Sequence, residues 1–144
     1  EPLETTIKKN NFKERLMKSP TRSIKTVLMD QSIISGVGNI YSDEMLHRAH
    51  LLPTRKPSSL TEKEVTLLFT SMQEVLRKGI DFGGDSMSDY RNIHGKRGKF
   101  QEQHMVYKRK GKNCLMKNCD GIIERIVLGT RSTHYCNKHQ KLSK

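Results

Sequence analysis

The chain has no tryptophan, four phenylalanines and four tyrosines among 144 residues, and only 33% of it is hydrophobic. So little large apolar surface argues against one extensive core. A modest helical core with a separately stapled unit fits better, because thin cores need staples. No apolar run approaches membrane-spanning length, which excludes an integral helical membrane protein. No basic-apolar-small leader is visible, so secretion is not expected. Cysteine is scarce as well: there are three, and an odd count excludes a complete intramolecular disulfide framework. Internal repeats and low-complexity segments are absent. With Glu1 rather than Met at its start, the chain reads as a fragment or a processed product.

Acidic residues are lacking in one place. The whole chain carries 27 Lys/Arg against 15 Asp/Glu, net +12. Residues 1–89 hold 13 basic and 12 acidic side chains, net +1, whereas residues 90–144 hold 14 and 3, net +11. Charge this one-sided favours a polyanionic partner, nucleic acid ahead of an anionic membrane surface. A basic, weakly ordered tail is the competing reading, and the clustered cysteines count against it.

Apolar spacing organises the first 80 residues. Leu3, Ile7, Phe12 and Leu16 suggest a short amphipathic helix stopped at Ser19-Pro20. Thr21 is placed to cap a helix bearing Ile24, Val27 and Leu28, running to about Gln31. A glycine-punctuated turn, Ser35-Gly36-Val37-Gly38-Asn39, leads into a helix from about Ile40 through Tyr41, Met45 and Leu46 to about His50. Pro53 and Pro57 punctuate its exit. Thr61-Glu62-Lys63-Glu64 is a capping box. It opens a helix with Val65, Leu68, Phe69, Met72, Val75 and Leu76 on one face, ending near Gly79. Residues from Asp81 to Lys99 read as a long loop. A strand is predicted around Met105-Val106-Tyr107, a turn at Arg109-Lys110-Gly111-Lys112, and a hairpin from Ile122–Leu128 and Ser132–Cys136 joined around Gly129.

Cys114, Cys119, Cys136 and His139 form C-x4-C-x16-C-x2-H. Two ligand pairs on tight turns, joined by a hairpin-length spacer, suit one tetrahedral zinc ion. Four protein ligands leave no open position, so the zinc should be structural, and folding of this unit should depend on it. His134 competes with His139 as fourth ligand, since it lies two residues before Cys136 on the same strand face. The spacing of His139 fits a ligand turn better. His47, His50, His94 and His104 have no spaced partners and read as exposed surface histidines.

The Gly36-Val37-Gly38-Asn39 turn before a helix suits a phosphate, because glycines admit close approach and a helix N-terminus presents N–H groups. Alone the pattern is weak; more often it is only a tight connection. It also lacks the strand and third glycine of a dinucleotide site.

These residues together resemble a known family. Asp30-Gln31, then Gly36-Val37-Gly38-Asn39-Ile40-Tyr41-Ser42-Asp43-Glu44 and Arg48-Ala49, are similar to the helix–two-turn–helix signature of formamidopyrimidine-DNA glycosylases and their endonuclease VIII relatives. Phe100-Gln101, Val106-Tyr107, the run Arg131-Ser132-Thr133-His134-Tyr135-Cys136 and Gln140 follow the same family's C-terminal end in order, and Glu1-Pro2-Leu3-Glu4 resembles the linker entering that half. The resemblance implies a mainly α fold with a small β part: a linker and entry helix over 1–20, a helix–two-turn–helix domain over 21–80, a lesion-loop segment over 81–100 and a zinc-ribbon hairpin over 101–144. It implies excision of oxidised purines from double-stranded damaged DNA, with base flipping, followed by strand cleavage at the abasic site. It further implies that Gly36, Gly38, Asn39, Tyr41 and Arg131 contact DNA, and that Gly83, Gly84, Asp85, Ser86 and Tyr90 belong to a loop that covers the flipped base. The protein would then act as a monomer on DNA, located with the genome in the bacterial nucleoid or cytoplasm.

Three features depart from the family pattern. The first ligand pair is C-x4-C rather than C-x2-C, and His139 stands where Cys is usual. The family's nucleophile, an N-terminal proline on a β-sandwich domain, has no counterpart here. Pro2 follows Glu1, so its nitrogen is a tertiary amide without a nucleophilic lone pair. These residues alone are therefore expected to be inactive. A stand-alone, non-enzymatic zinc-dependent DNA- or RNA-binding module is the alternative, and a zinc-stapled protein-interaction domain is disfavoured by the one-sided charge.

Overall fold

The computed structural model describes residues 9–30, 32–34, 37–81 and 104–140. Four helices form the first part: α1 (Lys9–Leu16), α2 (Ile24–Met29), α3 (Asn39–Arg48) and α4 (Glu62–Asp81), with a 3₁₀ turn at Pro57–Ser59. An antiparallel hairpin, β1 (Ile123–Leu128) and β2 (Arg131–Cys136), forms the second.

Each helix starts and stops for a local reason. In α1, Phe12 and Leu16 are four apart and both fully buried, and Phe12 packs its ring 5.4 Å from that of Phe69 on α4. Leu3 and Ile7 lie outside the described residues. Ser23, not Thr21, caps α2: its Oγ accepts the Thr26 amide at 3.3 Å. Asp30 ends that helix by drawing Ser32 back, accepting its amide at 2.9 Å and its hydroxyl at 2.6 Å. The capping box of α4 is formed as expected, with Glu64 N donating to Thr61 Oγ1 at 3.0 Å and Thr61 N donating to Glu64 Oε1 at 2.9 Å.

The end of α3 is a Schellman motif. His50 takes a left-handed φ of 62°, its amide donates to His47 O at 3.2 Å, and the Leu51 amide donates to Leu46 O at 3.0 Å. Leu46 and Leu51 are buried, which supplies the apolar contact this motif favours.

Two cores result. The larger draws on α1 to α4, including Ile24, Leu28, Met45, Leu68 and Met72. The smaller holds Val106, Cys114, Ile123 and Cys136. The hairpin turns through Gly129 with φ 55°, the sign that the first position of a type II′ turn requires.

One expected strand is absent. Residues 105–107 form a bend, because their three consecutive amides donate to the Glu44 carboxylate at 2.8, 2.9 and 2.9 Å rather than to a ladder. Lys108 then turns with φ 59°.

The two cores meet through buried polar contacts. Asp43 Oδ1 accepts from Lys25 Nζ at 2.5 Å, and Asp43 Oδ2 accepts from the His134 amide at 3.1 Å and lies 3.0 Å from His134 Nδ1. The Lys25 ammonium also donates to Ser132 O at 3.2 Å. Burial pushes the Lys25 ammonium below its usual range, and Asp43 opposes that shift. Gln140 adds a further tie: its Nε2 donates to Leu51 O at 2.8 Å and its Oε1 accepts the Cys136 amide at 2.6 Å.

Removing one partner of a buried ion pair leaves the other charge without compensation. Asp43→Ala should therefore destabilise the chain by about 3–5 kcal/mol, read from urea midpoints; a loss below about 1 kcal/mol would refute the pair's structural role. Glu64 carries both a cap and a two-pronged contact with buried Arg55, at 2.8 and 3.2 Å. Thr61→Ala should cost about 1 kcal/mol and Glu64→Ala about 2–4 kcal/mol. Hydrogen bonding to Arg55 holds the Glu64 carboxyl below its ordinary range. Its stabilisation should thus be complete above about pH 4.3 and fade as pH falls through the lower folded value.

Candidate metal centre and nucleic-acid interface

Cys114, Cys119, Cys136 and His139 converge, their ligand atoms all within 4.8 Å of one another. Cys119 and Cys136 sulfurs are 3.7 Å apart, and His139 Nδ1 lies 3.6 Å from Cys114 Sγ and 3.7 Å from Cys119 Sγ. This group could hold a metal ion. His134 takes no part in it, because its ring and amide are engaged by Asp43.

Local backbone shapes the group. Each cysteine sulfur accepts the amide two residues on: Met116 N to Cys114 at 3.4 Å, Gly121 N to Cys119 at 3.3 Å and Lys138 N to Cys136 at 3.3 Å. The longer C-x4-C loop is accommodated by Asn118, which turns with φ 62° just before Cys119. Gly121 is a requirement that sequence reasoning missed. A Cβ there would lie 2.5 Å from Cys136 Sγ and 2.9 Å from Lys138 Cβ. The contact is long-range, so no local spacing announces it.

The thiols differ in electrostatics. Burial pushes the Cys114 thiol up to about 12, with the neighbouring sulfurs adding to the shift. The Gly121 amide pulls Cys119 below its usual value. A cation in this group would supply the charge that keeps Cys114 ionised.

Two of the four histidines expected at the surface are described otherwise. His47 is fully buried, and its Nε2 is 3.4 Å from Cys114 Sγ. Burial, with the nearby His139 and His50, pushes its pKa down to about 3, so the imidazole is neutral. His104 is half-buried, with its ring 5.8 Å from that of Tyr107. His50 is exposed as expected, and His94 lies outside the described residues.

The expected phosphate-binding residues are only partly within view. Gly38 is the N-cap of α3, is exposed, and offers no side-chain cap to the first turn. A Cβ at Gly38 would meet nothing within 4 Å, so the chain's own packing does not demand glycine there. Asn39 opens the helix half-buried, and its Oδ1 has no hydrogen-bond partner among the described residues. No acidic side chain lies in the first turn of α3. Tyr41 is half-buried and packs against the helical core. Arg131 is exposed at the start of β2, opposite Leu128. With Arg22, Lys25 and Thr26 of the α2 region it lines a cleft of about 230 Å³. Gly36, Gly83, Gly84, Asp85, Ser86 and Tyr90 lie outside the described residues.

The sequence signals for the connecting residues were present but unassigned. Lys25 is a lone cation beside apolar Ile24, Val27 and Leu28, and Asp43-Glu44 is an acidic pair inside an otherwise core-facing helix segment.

Known proteins share this arrangement. A family model described as the formamidopyrimidine-DNA glycosylase H2TH domain matches residues 1–91. The formamidopyrimidine-DNA glycosylase of Prochlorococcus marinus subsp. pastoris is 42% identical over 131 residues, which span 91% of this chain and 44% of that protein. A complex of the Lactococcus lactis Fpg with DNA containing an abasic site superposes with a TM-score of 0.83 at 35% identity, covering 98% of this chain and 50% of that one. A complex of the same enzyme with DNA containing FAPY-dG gives a TM-score of 0.82 at 36% identity, again covering 98% and 50%. The chain thus spans about half the length of these relatives. The sequence likeness spans 91% of the chain and the structural likeness 98% of it, and the chain belongs to the formamidopyrimidine-DNA glycosylase family.

Proposed function

We propose that this chain is the damaged-DNA-binding half of a base-excision-repair DNA glycosylase with abasic-site lyase activity, acting on oxidised purines. The observation that carries this reading is the docking of α3, whose uncapped N-terminus opens at Gly38-Asn39, onto a basic hairpin bearing Arg131. Helix-end amides and a guanidinium held by a rigid hairpin are two complementary ways to bind backbone phosphate. Solved relatives bound to abasic-site and FAPY-dG DNA support the partner and the lesion class.

In this proposal Gly36, Gly38, Asn39 and Tyr41 place backbone and side-chain donors against the phosphates, and Arg131 adds a charged contact. Residues 81–100, with Gly83, Gly84, Asp85, Ser86 and Tyr90, form the loop that covers a base flipped out of the stack. The units divide as 1–20, 21–80, 81–100 and 101–144. The amine that attacks the sugar would come from a region outside these residues.

The metal is zinc, and the donor set fits it. Ligands about 2.3 Å from zinc through sulfur, or about 2.0–2.1 Å through nitrogen, stand roughly 3.5–3.8 Å apart in a tetrahedron. Three of the six separations, at 3.6, 3.7 and 3.7 Å, match these values, and all six fall within 4.8 Å. Cys114, Cys119, Cys136 and His139 would hold it, with no position open for substrate. When bound, the ion cross-links the C-x4-C loop to the end of β2, in a unit whose own core is only a few residues.

Three measurements test these assignments. Arg131→Ala should weaken DNA binding across sequences and reduce the slope of log K against log salt by about one; an unchanged slope removes Arg131 from the phosphate contacts. Chelation should unfold the region after about Lys112 while α1 to α4 persist, as followed by amide hydrogen exchange. A protected hairpin without metal would refute the zinc assignment. Borohydride treatment with abasic-site DNA should trap no covalent adduct on these 144 residues; an adduct would place a nucleophile within them.

A further inference from the structure

Helix α3 reaches the metal centre with one residue, His47, in two ways. Its main-chain carbonyl lies 3.0 Å from His139 Nε2, and its side-chain Nε2 lies 3.4 Å from Cys114 Sγ. The first contact orients a ligand. His139 turns Nδ1 toward the cysteine sulfurs, so Nε2 carries the proton and donates to the His47 carbonyl. That carbonyl also accepts the His50 amide, so the Schellman turn holds it in place.

The second contact has a direction too. His47 Nδ1 is buried and has no hydrogen-bond partner among the described residues. A proton there would be a buried donor with nothing to receive it, whereas a proton on Nε2 points at a sulfur. The Nε2–H tautomer is therefore the one the site holds. Its effect is specific to one sulfur. Each cysteine already accepts one main-chain amide, and among the described residues Cys114 alone of the three also meets a side-chain donor from outside the ligand group. The His47 ring meets that of His139 edge-on, with centroids 4.4 Å apart at 84°, which fixes the plane of both.

We propose that His47 is a positioning residue for the metal centre: its Nε2–H donates to Cys114 Sγ and its carbonyl orients His139, fastening two of the four ligands to helix α3. The inference rests on the zinc reading above. Its consequence is that metal occupancy and the seating of α3, the helix that begins at Asn39, are coupled. A hydrogen bond to a thiolate stabilises the sulfur lone pairs, lowers their tendency to donate charge to the metal, and slows loss of the ligand.

The test compares donor-free with donor-bearing side chains in the 144-residue chain. His47→Phe retains an aromatic ring beside His139 without a donor, His47→Leu removes both, and His47→Gln restores an N–H at similar reach. Two donor-free variants are used so that misfolding of one leaves the other. Folding is checked by far-ultraviolet circular dichroism. With cobalt(II) in place of zinc, the sulfur-to-metal charge-transfer band should move to lower energy in the folded donor-free variants and return toward the wild-type position in His47→Gln. Zinc affinity, measured by competition with a chromogenic chelator, should fall roughly 10–100-fold in the donor-free variants and recover in His47→Gln. A donor-free variant with the wild-type cobalt band and zinc affinity would overturn the proposal. So would equal losses in His47→Phe, His47→Leu and His47→Gln, which would reduce His47 to packing. A wild-type chain that takes up neither zinc nor cobalt would overturn the metal reading itself, and this proposal with it.

Discussion

The buried carboxylate of Asp43 holds the two halves of the described structure together. It lies fully out of solvent, where a lone charge would cost several kcal/mol. Lys25 from α2, and His134 from β2 through both ring and amide, meet it there. The adjacent Glu44 does the same for the bend at 105–107, ending three otherwise unmade amide bonds. Two consecutive residues on one helix thus determine where the hairpin sits and how the chain enters it. The two apolar clusters are distinct. What joins them is a polar seam in which the one Asp43 carboxylate takes donors from α2 and from β2 at once.

That seam lies beside the residues proposed to touch DNA. Lys25 also holds the carbonyl of Ser132, the neighbour of Arg131. A flexible guanidinium loses entropy on binding phosphate, and a backbone already held by a buried ion pair lessens what remains to be ordered. Asn39 lies one turn before Asp43 on the same helix, so the same ion pair fixes both proposed contacts. His139 and Gln140 secure the C-terminal end of α3, near His47 and Leu51. Helix α3 is consequently held at its middle and at its C-terminal end, and the hairpin cannot shift without breaking the charged contacts of Asp43 or the contacts of His139 and Gln140.

Much of this was legible in the sequence because its causes are local. The capping box at Thr61 and Glu64, the glycine turn of the hairpin, the helical face of α4 and the two close pairs Cys114/Cys119 and Cys136/His139 each depend on short, regular spacings along the chain. Where a local rule failed, another local group won: Ser23 sits closer to the start of α2 than Thr21 and takes its cap. The choice between His134 and His139 was legible only as a preference, since both spacings reach Cys136. Asp43, 91 positions before His134, engages that ring, and His139 is the histidine that lies with the three cysteines. The bend at 105–107 has the composition of a strand, and no neighbouring residue reveals that Glu44, about 60 positions away, accepts its amides.

By itself, the sequence determined the helices and the hairpin, the grouping of Cys114, Cys119, Cys136 and His139, and the side of the chain on which the positive charge falls, since spacing and composition suffice for these. Tertiary structure alone decided that His47 is buried against the Cys114 sulfur, that Gly121 has no room for a side chain, and that Lys25, Asp43 and His134 form one network. At Gly121 the reason is steric, a Cys136 sulfur where a Cβ would stand; for the polar groups it is proximity. A polar group inside a protein is assigned by whichever partner the fold brings within about 3 Å, and that distance has no counterpart in separation along the chain.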